Sequence, residues 1–206
     1  IIAMANEKEE SITFDPVVSH DVSRTVFEIS QRLHCNWLVI EWGGKSGSGL
    51  TFHNPIGWLK SHLHCNLATF RDAGVRYIRK IMVLINNDQN DKLVLQTADH
   101  LSKVYWADVT LVRFAHQSDS DEKKYYEQSF LKELSSKIEA ESQSKVIIGQ
   151  DKLKCLTRET SEYDLLILGS GDQTLMNSIR GNFDDKLITK ASCSVLAVHE
   201  SSFASH

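Results

Sequence analysis

This sequence predicts an α/β fold: two doubly wound domains in tandem, with mostly parallel sheets and the first domain incomplete. Two observations support that expectation. Strand-like apolar runs alternate with helix-period stripes five times between residues 77 and 200, the order of a parallel sheet with helices on both faces. The chain also repeats itself. The later copy runs from Asp164 through the turn Leu168-Gly169-Ser170-Gly171 to a closing strand, Val195–Val198. The earlier copy runs from Trp37 through Trp42-Gly43-Gly44 to Leu67–Phe70. Gly171 lies 22 positions before Cys193, and Gly44 lies 21 before Cys65. Each copy reads as strand, Gly-rich exit, helix and closing strand, and repetition of this length argues for two related units.

The elements follow in order. Ile1–Ala5 reads as a short strand and Asn6 to Asp15 as an acidic linker. Val22, Val26, Ile29 and Leu33 recur at helical spacing, with Asp21 or Ser19 placed to cap the start. Leu38–Trp42 is a strand, Gly43 to Gly49 a Gly/Ser/Lys loop, and a short helix follows Pro55, which suits a first helical position. Leu67–Phe70 closes this unit, and Asp72 to Gly74 links it to the next. Ile81–Ile85 is a continuous apolar run, as in a strand covered on both faces. Val94, Ala98, Leu101 and Tyr105 stripe a helix, Val109–Phe114 is a strand, and Gln117 to Glu122 is a polar loop. Tyr126, Phe130, Leu134 and Ile138 stripe the next helix. Strand Val146–Gly149, a short helix near Asp151–Thr160, strand Leu165–Leu168, helix Ser178–Lys190 and strand Val195–Val198 complete the chain. The resulting division is residues 1–71, an incomplete domain, and residues 77–200, a complete one. Nothing before Ile1 matches the block from Tyr77 to Ile138, and the sequence reads as part of a longer polypeptide.

Composition narrows the function classes. The chain has 206 residues, 41% hydrophobic and 24% charged, enough for a real core. A net charge of −4 gives a phosphate backbone no general attraction, so nucleic-acid binding is not expected. No run reaches the length of a membrane span, and no secretory signal is present. Cys35, Cys65, Cys155 and Cys193 form no CxxC pair and read as free thiols of a reducing compartment.

Chemistry-bearing motifs are few. Gly44-Lys-Ser-Gly47, then nine residues and Gly57, looks like a phosphate loop by count. Counting back 12 positions from the cysteine before the closing strand gives a different answer, Gly181 in the later copy but His53 in the earlier. Gly57 therefore belongs inside a helix and Trp58 is a packing residue. No Walker spacing follows Gly49, Ser170 lacks the Gly-x-Ser-x-Gly of a nucleophile elbow, and His62, His64 and Cys65 lack a second ligand cluster. No enzyme is expected, and no metal.

The strand–helix order, the exit Leu168-Gly169-Ser170-Gly171 and the ending Cys193-Ser-Val-Leu-Ala-Val198 resemble the universal stress protein family, whose domains are Rossmann-like. The resemblance covers residues 77–200 and, as a half unit, residues 1–71. It implies that a nucleotide, if bound, meets Asn86, Gly169, Gly171, Gly181 and Asn182. Nucleotide-binding members carry Gly-x-x-Gly, nine residues, Gly and then Ser or Thr, so that backbone N–H groups and a hydroxyl hold phosphate. Here the first glycine pair is one residue closer, Asn182 replaces the hydroxyl, and Asn86 stands where an Asp is usual. No cofactor is therefore expected, with ATP the candidate if one binds.

Tandem units with such altered motifs resemble the cytosolic C-terminal domains of cation–chloride cotransporters, in the amino-acid/polyamine/organocation superfamily. That resemblance implies a regulatory and oligomerisation domain on the cytoplasmic side of a membrane, a homodimer joined to transport helices of the same polypeptide. The alternative is a freestanding, nucleotide-binding universal stress protein. The edge strands Val195–Val198 and Leu67–Phe70, apolar and without Pro or Lys, are the expected surfaces of self-association.

Overall fold

A computed structural model describes residue 13 and residues 15–43, 55–171 and 183–201. The described strands are β1 (Trp37–Glu41), β2 (Asn66–Arg71), β3 (Lys80–Leu84), β4 (Asp108–His116), β5 (Ser142–Gly149), β6 (Leu165–Gly169) and β7 (Ser194–His199). The described helices are α1 (Val22–Arg32), α2 (Pro55–His62), α3 (Asp91–Tyr105), α4 (Asp121–Ser135), α5 (Lys152–Glu159) and α6 (Phe183–Lys190), with a short 3-10 turn at Thr160–Glu162. The fold is α/β, as the alternation predicts. The strand expected at Ile1–Ala5, the Gly44–Gly49 part of the loop, residues 178–182 of the last helix, and His53, Asn54, Gly181 and Asn182 all lie outside the described residues.

All seven strands form one sheet in the order β1-β2-β7-β6-β3-β4-β5. Every pairing is parallel except β2 with β7. The two copies of the repeat meet at that antiparallel seam. In each copy the paired strands are offset by 29 residues, Trp37 with Asn66 and Leu165 with Ser194. Equivalent hydrogen bonds recur: Trp42 N–H donates to the Phe70 carbonyl and Ser170 N–H to the Val198 carbonyl, both at 2.7 Å. Leu63 N–H donates to the Leu59 carbonyl at 2.9 Å, and Ala191 N–H to the Leu187 carbonyl at 2.8 Å. The repeat is therefore structural, and its register sets Gly43, not Gly44, against Gly171.

The seam has the self-complementarity of a two-fold interface. Thr69 pairs with its own equivalent, Ala197, while Leu67 pairs with His199 and Arg71 with Val195. This corrects one expectation. Val195–Val198 is no free edge, because β2 of the other copy already satisfies its backbone groups. The second expected edge, Leu67–Phe70, is no free edge either, because β2 lies between β1 and β7, so neither strand offers unpaired backbone groups to a second chain.

Three apolar clusters hold the layers together. Ile81, Val83 and Ile85 pack with Leu93 and Val94 of α3 and Leu131 of α4. On the other face Met82, Leu84, Leu166 and Leu168 pack with Leu156 of α5 and Leu187 and Ile188 of α6. The smaller third cluster joins Leu59, Leu63, Cys65 and Leu67 to Val26 and Phe27. Phe27 meets the Trp58 ring edge-on at 5.7 Å, so Trp58 is the packing residue its position inside α2 implies.

Local sequence explains most boundaries. Asp21 caps α1, its carboxylate accepting the Arg24 N–H at 3.1 Å, whereas Ser19 accepts from Asp21 instead. The apolar stripe of α1 is only partly used, with Val22 and Leu33 largely exposed. Ser120 caps α4 through the Lys123 N–H, so this helix starts at Asp121, inside the expected polar loop, and ends before Ile138. β5 begins four residues earlier than expected, at Ser142, because an edge strand pairs its backbone with β4 without needing apolar side chains.

Candidate functional site

The chain leaves β3 towards β4 and β5 on one side of the sheet, then returns to β6 and β7 on the other. The carboxyl ends of β3 and β6 therefore flank the point where strand order reverses, the usual place for a ligand in a doubly wound sheet. Asn86 follows β3 there, and Gly169, Ser170 and Gly171 end β6. The structure thus brings together three of the five residues singled out in the sequence. Gly181 and Asn182 lie outside the described residues.

Each of the three has a definite environment. Asn86 donates its N–H to Asp91 Oδ1 at 3.2 Å, and its side-chain oxygen accepts from Lys152 Nζ at 3.3 Å. Asn87, at φ 62°, turns the chain in the left-handed region that Asn tolerates and gives its N–H to Asp91 Oδ2 at 2.7 Å. Gly169 is a glycine for packing reasons. A Cβ there would stand 2.8 Å from the Cβ of Asn90, which is fully buried at the start of α3. Asn90 in turn accepts the Glu200 N–H at 2.9 Å, so one amide side chain ties α3 to the exits of both β6 and β7. At Gly171 a Cβ would meet nothing within 4 Å, and its N–H donates to the Asp184 carboxylate.

Residues that sequence reasoning missed complete the site. Lys60, from α2 of the other repeat, is buried with 7% exposure. Its ammonium donates to Ser170 Oγ at 2.5 Å and to the Gly171 carbonyl at 3.2 Å. His199, 3% exposed, donates from Nδ1 to the Ser170 carbonyl at 3.0 Å. Lys152 sits 4.6 Å above the Phe183 ring. No periodicity places Lys60 here, because the contact spans 110 residues and crosses the seam.

Electrostatics follow from burial. Desolvation raises the Asp184 pKa, against the opposing pull of the Gly171 N–H, Lys60 and Lys152. Burial lowers the Lys152 pKa, opposed by Asp184, and raises that of Asp91, opposed first by the Asn86 N–H. With Asp88 Oδ1 3.4 Å from the Gly169 Cβ position, the charged groups near the turn among the described residues include Asp88, Asp91 and Asp184 and the cations Lys60, Lys152 and Arg113. The Asp184 carboxylate engages the Gly171 N–H and feels the charge of Lys60 and Lys152, the kind of surroundings a phosphate beyond a Gly-Ser-Gly turn would seek. Among the described residues no group of three or more His, Cys, Asp or Glu is arranged to hold a metal, and no helix is long and apolar enough to cross a membrane.

Comparison with known proteins agrees with this geometry. No curated protein sequence matches the chain. Among solved structures, a universal stress protein from Archaeoglobus fulgidus DSM 4304 superposes with a TM-score of 0.68 at 13% identity, over 98% of this chain and 75% of that one. The cytoplasmic domain of a prokaryotic cation chloride cotransporter gives 0.69 at 14% identity, over 97% and 78%. A universal stress protein in complex with cAMP gives 0.52 at 16% identity, over 60% and 99%. At these identities the likeness establishes the fold alone. Residues 78–199, more than half of the sequence and the whole span from β3 to β7, match the universal stress protein family, and the chain therefore belongs to that family.

Proposed function

We propose that this chain is a non-catalytic regulatory module of the universal stress type in which the anion position beyond β6 is filled from within. The observation behind this reading is the meeting of Lys60 and Asp184 at the Ser170–Gly171 turn. Lys60 uses the hydroxyl and carbonyl of the turn, and Asp184 uses its N–H. A nucleotide phosphate at Gly171 has to displace a carboxylate and then sit beside Asp88 and Asp91, so ATP binds weakly if at all. Most of the similar structures are freestanding universal stress proteins, which favours a freestanding module. In that setting a nucleotide such as the cAMP of one neighbour acts as a displacing ligand.

A second reading is supported by the cotransporter neighbour, whose likeness extends over nearly the whole chain. Here the module is the cytosolic regulatory domain of a cation–chloride cotransporter, linked to membrane helices of the same polypeptide and associating as a homodimer. With β7 paired internally, such a dimer uses a surface other than that strand, and light scattering over a concentration series tests for it.

Calorimetry with millimolar Mg-ATP tests the filled-site reading. The wild type should give no saturable heat in the low micromolar range, and Asp184→Asn should bind more tightly by removing the competing charge. A wild-type Kd of a few micromolar, roughly −8 kcal/mol, would overturn the proposal.

A further inference from the structure

A cleft of about 590 Å³ lies between α5 and the end of α6, lined by residues of both elements, of the turn that follows each, and by Asp151 before α5. Lys154 and Arg158 of α5 and Lys190 of α6 all line it, together with Ser161 and Ser192. Lys154 and Arg158 are four apart and so share one face of their helix. None of the three cations forms a salt bridge with any described residue. The nearby acid Glu159 is held instead by Lys145. Asp151 is the one carboxylate in the lining, and its oxygen already accepts the Lys154 N–H at 3.0 Å to cap α5. The chain as a whole carries −4, yet these walls sum to +2.

We propose that this cleft binds a small molecule bearing a pyrophosphate or a pair of neighbouring phosphates. Its volume falls in the range of small-ligand sites. Two lysines and an arginine from two helices can surround two phosphate groups, and Arg158 offers the planar fork suited to a phosphate edge. Ser161 and Ser192 supply hydroxyls at the wall. The site is separate from the turn beyond β6, since none of Lys60, Ser170, Gly171 and Asp184 lines it.

Amide NMR titration of the whole chain with inorganic pyrophosphate provides the test, with inorganic phosphate and phosphatidylcholine vesicles containing phosphatidylinositol bisphosphate as further arms. Saturable shifts should appear at Ser161, Lys190 and Ser192, with pyrophosphate at least about ten-fold tighter than phosphate, as convergent cations require. Lys154→Glu combined with Lys190→Glu should weaken binding by a further ten-fold or more, and Arg158→Gln by a smaller factor. Lys132→Glu, an exposed change on α4, should leave it unaltered. All these side chains are exposed, so each variant should keep the wild-type circular dichroism. The proposal fails if those amides do not move at millimolar pyrophosphate, if the shifts gather at Gly171 and Lys152, or if the double reversal binds as tightly as the wild type. Vesicle binding without a pyrophosphate response also overturns it, since that assigns the cations to a lipid surface.

Discussion

The β1–β2 pair and the β6–β7 pair are the same motif in two settings, and the difference shows what a neighbour does to a strand. Register and turn hydrogen bonds agree between them. Burial does not. All five residues of β6 are buried, whereas β1 alternates between exposed and half-buried. β6 lies between β7 and β3, while among the described residues β1 pairs only with β2. At the turn the two copies diverge in chemistry as well. Trp42 and Gly43 occupy the places of Ser170 and Gly171, and in α2 the place of Ile188 is taken by Lys60, the residue that reaches across the seam. One copy carries the Gly-Ser-Gly turn, and the other supplies the lysine that donates to it.

Substitution at matched positions sharpens this contrast most strongly. Ile167 and Val39 are equivalents in the repeat, fully buried and 61% exposed respectively. Ile167→Ala should cost about 3 kcal/mol of unfolding free energy in urea titration, as buried Ile-to-Ala changes do. Val39→Ala should cost less than about 1 kcal/mol. Equal costs would mean that β1 is buried as deeply as β6.

The ends of β2 and β7 offer a second comparison. Arg71 and His199 are equivalents, and both satisfy carbonyls of the later copy. Arg71 donates from one guanidinium nitrogen to the carbonyls of Ala191 and Cys193, each at 3.1 Å. Arg71→Ala should destabilise by about 2 kcal/mol, the scale of charge-assisted bonds. Lys at this position should recover only part of that, because a mobile ammonium holds two carbonyls less rigidly than a planar guanidinium.

The matched thiols give the smallest effect. Burial pushes the Cys193 thiol up to about 11, and burial followed by the neighbouring Cys35 raises that of Cys65. At pH 8 only about one Cys193 in a thousand is thiolate, so alkylation should reach half-exposed Cys35 and Cys155 well before either buried thiol. The folded pKa of this acid lies above its unfolded value, so the unfolded chain loses the proton first. Stability from Cys193 is therefore complete below about pH 9 and falls as pH rises towards 11.

Much of the fold was legible in the sequence, since apolar runs such as Ile81–Ile85 and Leu165–Leu168 mark strands covered on both faces. β5 was only half legible, because its opening Ser-Gln-Ser-Lys has no apolar signal and needs only β4's backbone. The joining of both repeats into one sheet was not, because the β2–β7 pairing depends on partners more than 120 residues apart. At the site, the family resemblance pointed to Asn86, Gly169 and Gly171, which the sheet order places at the ends of the neighbouring strands β3 and β6. Gly169 proved to accommodate Asn90, and Lys60, Lys152 and Asp184 went unseen because tertiary contact alone places them.

A double-mutant cycle on Lys60 and Asp184 tests the account most directly. Lys60→Met, Asp184→Asn and the double variant should be compared by urea unfolding, with Asn keeping an acceptor for the Gly171 N–H. If lysine and carboxylate fill the turn together, the two effects should couple by about 1.5 kcal/mol, within the range for groups in one network. Effects that add to within about 0.4 kcal/mol would show that Lys60 and Asp184 act independently, and would contradict the claim that the site is closed from inside.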